Sequence, residues 1–286
     1  MAAVWVLNLD ADLELGARGP YTPTRSVTRA MRAQRDRLAA ALLEVGEDIV
    51  DETTPANAAR GRPGLAFCPT PRALALLARA GAVPEPHPSV EVLRTVNGRA
   101  FSASLGAGLP GSAFVTDRAT AEAKLRAGTG PWRAKRAFGM AGRGHRVIEP
   151  GALTAGDLDF VRGGLARGGL QIEPHVRIHE EFAIHGMIAP TGHVDLGRVV
   201  RQRCDARGAW LATEPLDEPF VFARELEAEA RSVACKLHEA GYFGPFGVDA
   251  FTHDGGFHAR SEINARFSMG FPVGMPAWRT SLRGAS

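Results

Sequence analysis

The chain has 286 residues, 45% of them hydrophobic and 23% charged, with a formal net charge of +3. That is ample for a core in two or three lobes and too little positive charge to mark a nucleic-acid binder. Three widely spaced cysteines, Cys68, Cys204 and Cys235, form no CxxC pair, which argues against a disulfide framework or structural zinc site and predicts buried free thiols.

The first ten residues carry no basic leader and read as a first strand over 4–9. From Ser26 to Gly46, Val27, Met31, Leu38, Leu42 and Val45 keep helical spacing, with Ser26 as N-cap and Arg29, Arg32, Arg35 and Arg37 on the solvated face. Residues 51–64 read as loop. Thr70 and Pro71 open a helix that carries Leu74, Leu76 and Leu77 inside and stops at Gly81. Residues 82–90, with Pro84, Pro86 and Pro88, read as an extended linker. From about 112 the pattern turns to strands. Residues 132–138 run into a glycine-rich tip at 139–145 and return through 146–148, a hairpin with a long tip. A helix is expected over 154–167 and a strand over 170–176, ending near Pro174. Strands around 181–188 and 193–203 are joined by the turn Pro190-Thr191-Gly192. Leu226, Ala230, Val233, Ala234 and Leu237 mark an amphipathic helix over 223–240, stopped by Gly241. No apolar run approaches the ~18 residues of a membrane span. A soluble cytoplasmic chain, without membrane or nucleic-acid partners, is the expectation.

Two constellations carry chemistry. Gly247-Val248-Asp249-Ala250-Phe251 and Ser261-Glu262-Ile263-Asn264-Ala265-Arg266 flank a hairpin signal at 252–257. A two-residue loop at Gly255-Gly256 places Asp249 opposite Glu262, and Asn264 projects from the same face. Two carboxylates and an amide so placed are hard oxygen ligands of the kind that hold Mg²⁺ against phosphates. The second constellation is the tip with Gly139, Gly142 and Gly144, whose backbone N–H groups are free to approach an anion; Arg143 and His145 add charge. It is neither a P-loop nor a dinucleotide fingerprint, because a strand follows the glycines rather than a helix. Lys135 lies four residues before the tip. Among 34 basic residues, Lys124, Lys135 and Lys236 are the lysines, so a lysine there stands out as a compact charge for phosphate oxygens. The histidines are scattered without metal-ligand spacing.

Taken in order, Lys135, the glycine tip, Glu173-Pro174-His175-Val176, Glu180-Glu181-Phe182, Asp249 and the 262–266 run resemble an ATP-grasp domain, over roughly residues 95–275. The resemblance implies an α/β (α+β) fold with two lobes gripping ATP. A short N-terminal α/β region would occupy 1–92 and the ATP-grasp domain 93–286, with a smaller lobe at about 112–172 and a C-terminal lobe at about 177–275. It implies that Lys135 and the tip residues Gly139, Gly142, Arg143 and Gly144 hold ATP phosphates. Glu173, His175 and Val176 belong to the hinge segment that meets adenine. Glu180 or Glu181 binds ribose; the spacing permits either. Asp249, Glu262 and Asn264 match the magnesium ligands, with Mn²⁺ as a substitute. Arg266 matches an arginine facing the reacting phosphate or acyl group, and one of Arg198, Arg201 and Arg203, with Arg201 preferred, is a further candidate for the γ-phosphate. The family's other phosphate-binding lysine is missing, and Arg99 is its candidate replacement. The implied activity is a carboxylate–amine (or thiol) ligase: ATP and Mg²⁺ activate a small-molecule carboxylate as an acylphosphate, which a nucleophile attacks with release of ADP and phosphate. The alternatives are a kinase of the same fold acting on a hydroxyl, or a non-catalytic ATP-binding protein. A homodimer is compatible with the sequence, which does not fix the oligomeric state.

Overall fold

The computed structural model describes residues 1–106, 108–140, 143–205 and 208–279, with Arg143 through its backbone alone. Strand β1 (Val4–Val6) is buried on both faces, as a central parallel strand requires. Helices α1 (Ala11–Leu15) and α2 (Arg25–Leu42) lead to β2 (Asp48–Ile49), and β3 (Pro63–Ala66), α3 (Pro71–Arg79) and β4 (Val83–Pro84) follow. Among the described residues these strands form a parallel sheet of order β2-β1-β3-β4. The cap of α2 is Thr24 rather than Ser26: its Oγ1 accepts from the Val27 N–H at 3.4 Å, and Ser26 falls inside the first turn. Helix α3 starts at Pro71 with Thr70 at its N-cap as expected, but the Thr70 side chain makes no capping bond. Its hydroxyl donates to Glu14 Oε2 at 2.7 Å. The expected linker at 82–90 supplies β4, an edge strand compatible with Pro84.

Two short helices absent from the sequence pattern, α4 (Val90–Asn97) and α5 (Arg99–Ser104), cross to the second lobe. That lobe holds β5 (Ala113–Val115), α6 (Arg118–Arg126), β6 (Trp132–Met140), β7 (Arg143–Ile148), α7 (Ala155–Leu165) and β8 (Leu170–Pro174). Its antiparallel sheet has the order β5-β8-β6-β7. Helix α7 begins with a capping box, Thr154 and Asp157 each satisfying the other's backbone N–H. The glycine tip is shorter than its composition suggests. Lys135 pairs with His145 and Met140 with Arg143, so the ladder slips and residues 143–145 belong to β7. Gly144 makes this possible with φ of +88°.

The third sheet contains β9 (Ile178–Ile188), β10 (Val194–Cys204) and β11 (Trp210–Pro215). After α8 (Ala223–Glu239) come β12 (Gly244–His253), β13 (Gly256–Asn264) and the short α9 (Phe271–Gly274). The strand order is β11-β10-β9-β12-β13, and α8 buries Leu226, Ala230, Val233, Ala234 and Leu237. Asp249 does face Glu262, but by another route than expected. The turn is Asp254-Gly255, since His253 faces Gly256; an irregularity after Phe251↔His258 sets Ala250 against residues 259–261 and restores the pair. One core joins Trp5 of the first sheet, and Leu7 and Leu9 just after its strand, to Ile184 and Val248 of the third and Phe267 just after β13. The second lobe keeps its own core around Leu125, Ile148, Val161, Leu170 and Ile172. Among the described residues no helix is long and apolar enough to cross a membrane. All three cysteines are free, but only Cys68 is buried; Cys204 is half-buried and Cys235 exposed.

Candidate active site

A cavity of about 250 Å³ opens between the second and third sheets, with Asp249, Glu262 and Asn264 on its floor. Pleat alternation aims these three the same way. Asp249 is gripped from both sides: Gln202 Nε2 donates to its Oδ1 at 2.7 Å and Asn264 Nδ2 to its Oδ2 at 2.9 Å. Burial, and then the charge of Glu262, push the Asp249 carboxyl up to about 7. Burial acts on Glu262 in the same direction, but the charges of Arg99, Lys135 and Arg266 outweigh it and hold that carboxyl below the ordinary value. Arg99 donates directly to Glu262 Oε1 at 2.7 Å. A buried carboxyl raised by its neighbour is a group that lacks a positive partner. The oxygens of Asp249, Glu262 and Asn264 fit a hard divalent cation such as Mg²⁺. Among the described residues no three His, Cys, Asp or Glu side chains gather as a metal site; the set here is two carboxylates and an amide.

The opposite wall is basic. Lys135, Arg133, Arg99, His145, Gly139 and Met140 line it. Lys135 Nζ lies 2.6 Å from Glu173 Oε1, and Arg99 is braced by its bond to the Arg136 carbonyl at 2.8 Å. His145 is held below its ordinary pKa by burial and then by the charges of Arg133, Lys135 and Arg99. Cations crowded until they discourage another proton make a field suited to phosphates. Between the walls, Pro174, Val176, Ile178 and Phe251 form an apolar slot with Glu181 at its edge.

Strand parity separates the remaining sequence candidates. Glu181 lines the cavity and pairs across the ladder with Gln202, whereas Glu180 turns to the other face. There it meets Arg201, whose NH2 lies 3.1 Å from Glu180 Oε1. The expectations for Arg201 and Glu180 are therefore corrected: neither lines the cavity, because each alternates away from a neighbour that does. His175 does not line the cavity. Its backbone N–H is committed to the Pro131 carbonyl at 2.9 Å, and its Nδ1 lies 3.4 Å from Arg133 NH2. Gly144 lines a cavity behind the hairpin rather than this one. Gly142 and the Arg143 side chain lie outside the described residues.

Arg266 stands at the end nearest the first sheet. Asp12 accepts from its Nε at 3.2 Å and its NH2 at 2.6 Å, NH1 donates to the Phe267 carbonyl at 3.0 Å, and Phe67 lies beneath the guanidinium at 5.1 Å. Asn97 clips the neighbouring backbone, accepting from the Ala265 N–H at 2.9 Å and donating to the Ala265 carbonyl at 3.2 Å. Sequence reasoning missed Gln202, Arg133, Asn97 and Asp12. The alternation that carries Glu181 inward carries Gln202 inward too, so that residue had a signal. Asp12 had none, being 254 positions from its partner.

No protein-family model matches the chain, and no curated protein matches it. Solved structures do. The fold is similar to N5-carboxyaminoimidazole synthetase from Staphylococcus aureus complexed with ADP, at 12% identity and TM-score 0.53, over 95% of this chain and 73% of that one. It is similar to biotin carboxylase from Campylobacter jejuni at 14% identity and TM-score 0.58, over 96% and 67%. It is similar to D-alanyl-alanine synthetase A from Vibrio cholerae at 11% identity and TM-score 0.58, over 100% and 94%. The chain has the ATP-grasp fold, with mixed α/β architecture.

Proposed function

We propose that this chain is an ATP- and Mg²⁺-dependent ligase that activates a carboxylate as an acylphosphate and joins it to an amine or similar nucleophile. The observation that carries this reading is the facing of the Asp249, Glu262 and Asn264 oxygens against the cations of Arg99, Arg133 and Lys135 across one cavity. Phosphoryl transfer needs alignment and charge neutralisation more than an enzyme nucleophile, and these two walls supply both. Asp249, Glu262 and Asn264 would hold the divalent cation, which when bound neutralises charge on the phosphates. Lys135 and Arg99 bind phosphate oxygens, and the apolar slot at Val176, Ile178 and Phe251 accepts the base with Glu181 beside the ribose. Arg266, oriented by Asp12, faces the reacting acyl group. Two synthetases and a biotin carboxylase stand among the similar structures, which favours the ligase reading over a kinase.

A pooled screen of carboxylates against amines, read as phosphate release, tests the proposal. ADP and free phosphate are expected only when acid, nucleophile, ATP and Mg²⁺ are all present. A phosphorylated hydroxyl product without free phosphate would replace the ligase with a kinase.

A further inference from the structure

We propose that a second anion site lies behind the β6–β7 hairpin, built by Arg136 and Arg167 against the N-terminus of α2, and that it takes a small organic molecule bearing a phosphate or carboxylate group. Alternation along β6 sends Lys135 into the nucleotide cavity and Arg136 to the other face. There a separate cavity of about 340 Å³ lies between the hairpin and the segment leading into α2, large beside the roughly 30 Å³ that one water fills.

Three observations converge on negative charge. Arg136 Nε is buried without a hydrogen-bond partner, and its guanidinium rests 4.9 Å from the Phe160 ring. Neither Arg136 nor Arg167 has a carboxylate partner among the described residues, so two like charges share the cavity uncompensated. The effect registers on Arg136, which burial and then Arg167 pull below the ordinary guanidinium pKa. Thr24, the cap of the 18-residue helix α2, also lines the cavity, and the first turn of that helix contains no acidic residue. The dipole of that helix adds to the field of the two arginines.

The lining contains no Asp or Glu, while Leu13, Val27 and Phe138 give it an apolar side. A bare inorganic ion would leave that surface unused. Guanidinium forks match either a phosphate or a carboxylate head. The site does not rest on the nucleotide reading: the two cavities share Gly139, but the arginines of this one lie on the opposite face of the hairpin from Lys135.

Titration calorimetry on the full chain, at constant ionic strength in chloride, tests this with phenyl phosphate and benzoate as separate probes. Saturable binding of at least one is expected. It should weaken about tenfold or more in Arg136→Gln and in Arg167→Gln, and be unchanged in Lys135→Ala. Arg167 is exposed, so its variant keeps the fold. The tighter probe identifies the head group. The proposal is overturned if neither probe binds or if both glutamine variants bind as wild type does. Binding lost in Lys135→Ala but kept in Arg167→Gln also overturns it, because the anion then sits in the nucleotide cavity.

Discussion

Asp249 and Glu262 are opposed across one ladder, yet their surroundings drive them apart. Asp249 meets only neutral amides, while Glu262 is surrounded by Arg99, Lys135 and Arg266. Glu262→Gln keeps the size and removes the charge, so Mg²⁺-dependent ADP formation should fall by about 100-fold or more, with the circular dichroism spectrum unchanged; wild-type turnover in this variant would refute the metal assignment. A second residue controls stability rather than chemistry. His185 is 1% exposed, its Nδ1 is unpartnered, and burial lowers its pKa to about 4. The unfolded chain takes up this proton near 6.5, the folded chain only near 4. In that window the unfolded state holds more protons, so stability falls as pH drops, by about 3 kcal/mol from this group. Urea melts from pH 7 to 4 should show a shallower loss in His185→Gln than in wild type. The gathering of residues at one cavity was legible where a type stood out, as for Lys135, or where spacing fixed a face, as for the 249/262/264 set. It was not legible where a buried pair such as Asp12 and Arg266 is assembled by the fold alone.

Elements position these groups through a few close contacts. Asn97, at the end of α4, holds both backbone groups of Ala265, between Asn264 and Arg266. Asn97→Ala leaves both groups unpaired and should lower stability by about 1–3 kcal/mol, measured by denaturant melts. Gly197 on β10 lies where an added Cβ would fall on the Gly274 carbonyl oxygen. Gly197→Ala should therefore force α9 off the strand at a cost of about 1–3 kcal/mol, visible as a lower melting temperature. Long periodic elements such as α2, α8 and the β12–β13 hairpin were readable from spacing. The short α4 and α5 were not, because eight and six residues give too few turns for a pattern. The hairpin irregularity was invisible for a different reason: a two-residue offset preserves which face each side chain occupies, so the Asp249–Glu262 pair emerges from either register.

At the scale of the molecule, the first and third sheets share one core while the second lobe has its own smaller one. Hydrogen exchange should find the slowest amides in β9 and β12 and faster exchange in β6–β8, with Mg²⁺–ATP slowing the second lobe selectively. Equal protection in both bodies would contradict that division. The ATP-grasp order of motifs was readable from the chain because its pieces are polar and locally spaced, whereas the packing of the lobes depends on contacts far apart in sequence. The central claim is that nucleotide and metal bind between the basic wall of the second lobe and the acidic hairpin of the third sheet. Titration calorimetry of ATP with and without Mg²⁺ measures it most directly, in wild type, Lys135→Ala and Glu262→Gln. Saturable binding that depends on Mg²⁺ and weakens about tenfold or more in both variants is the expected result. Binding in both variants at wild-type affinity, or none in the wild type, would contradict the account.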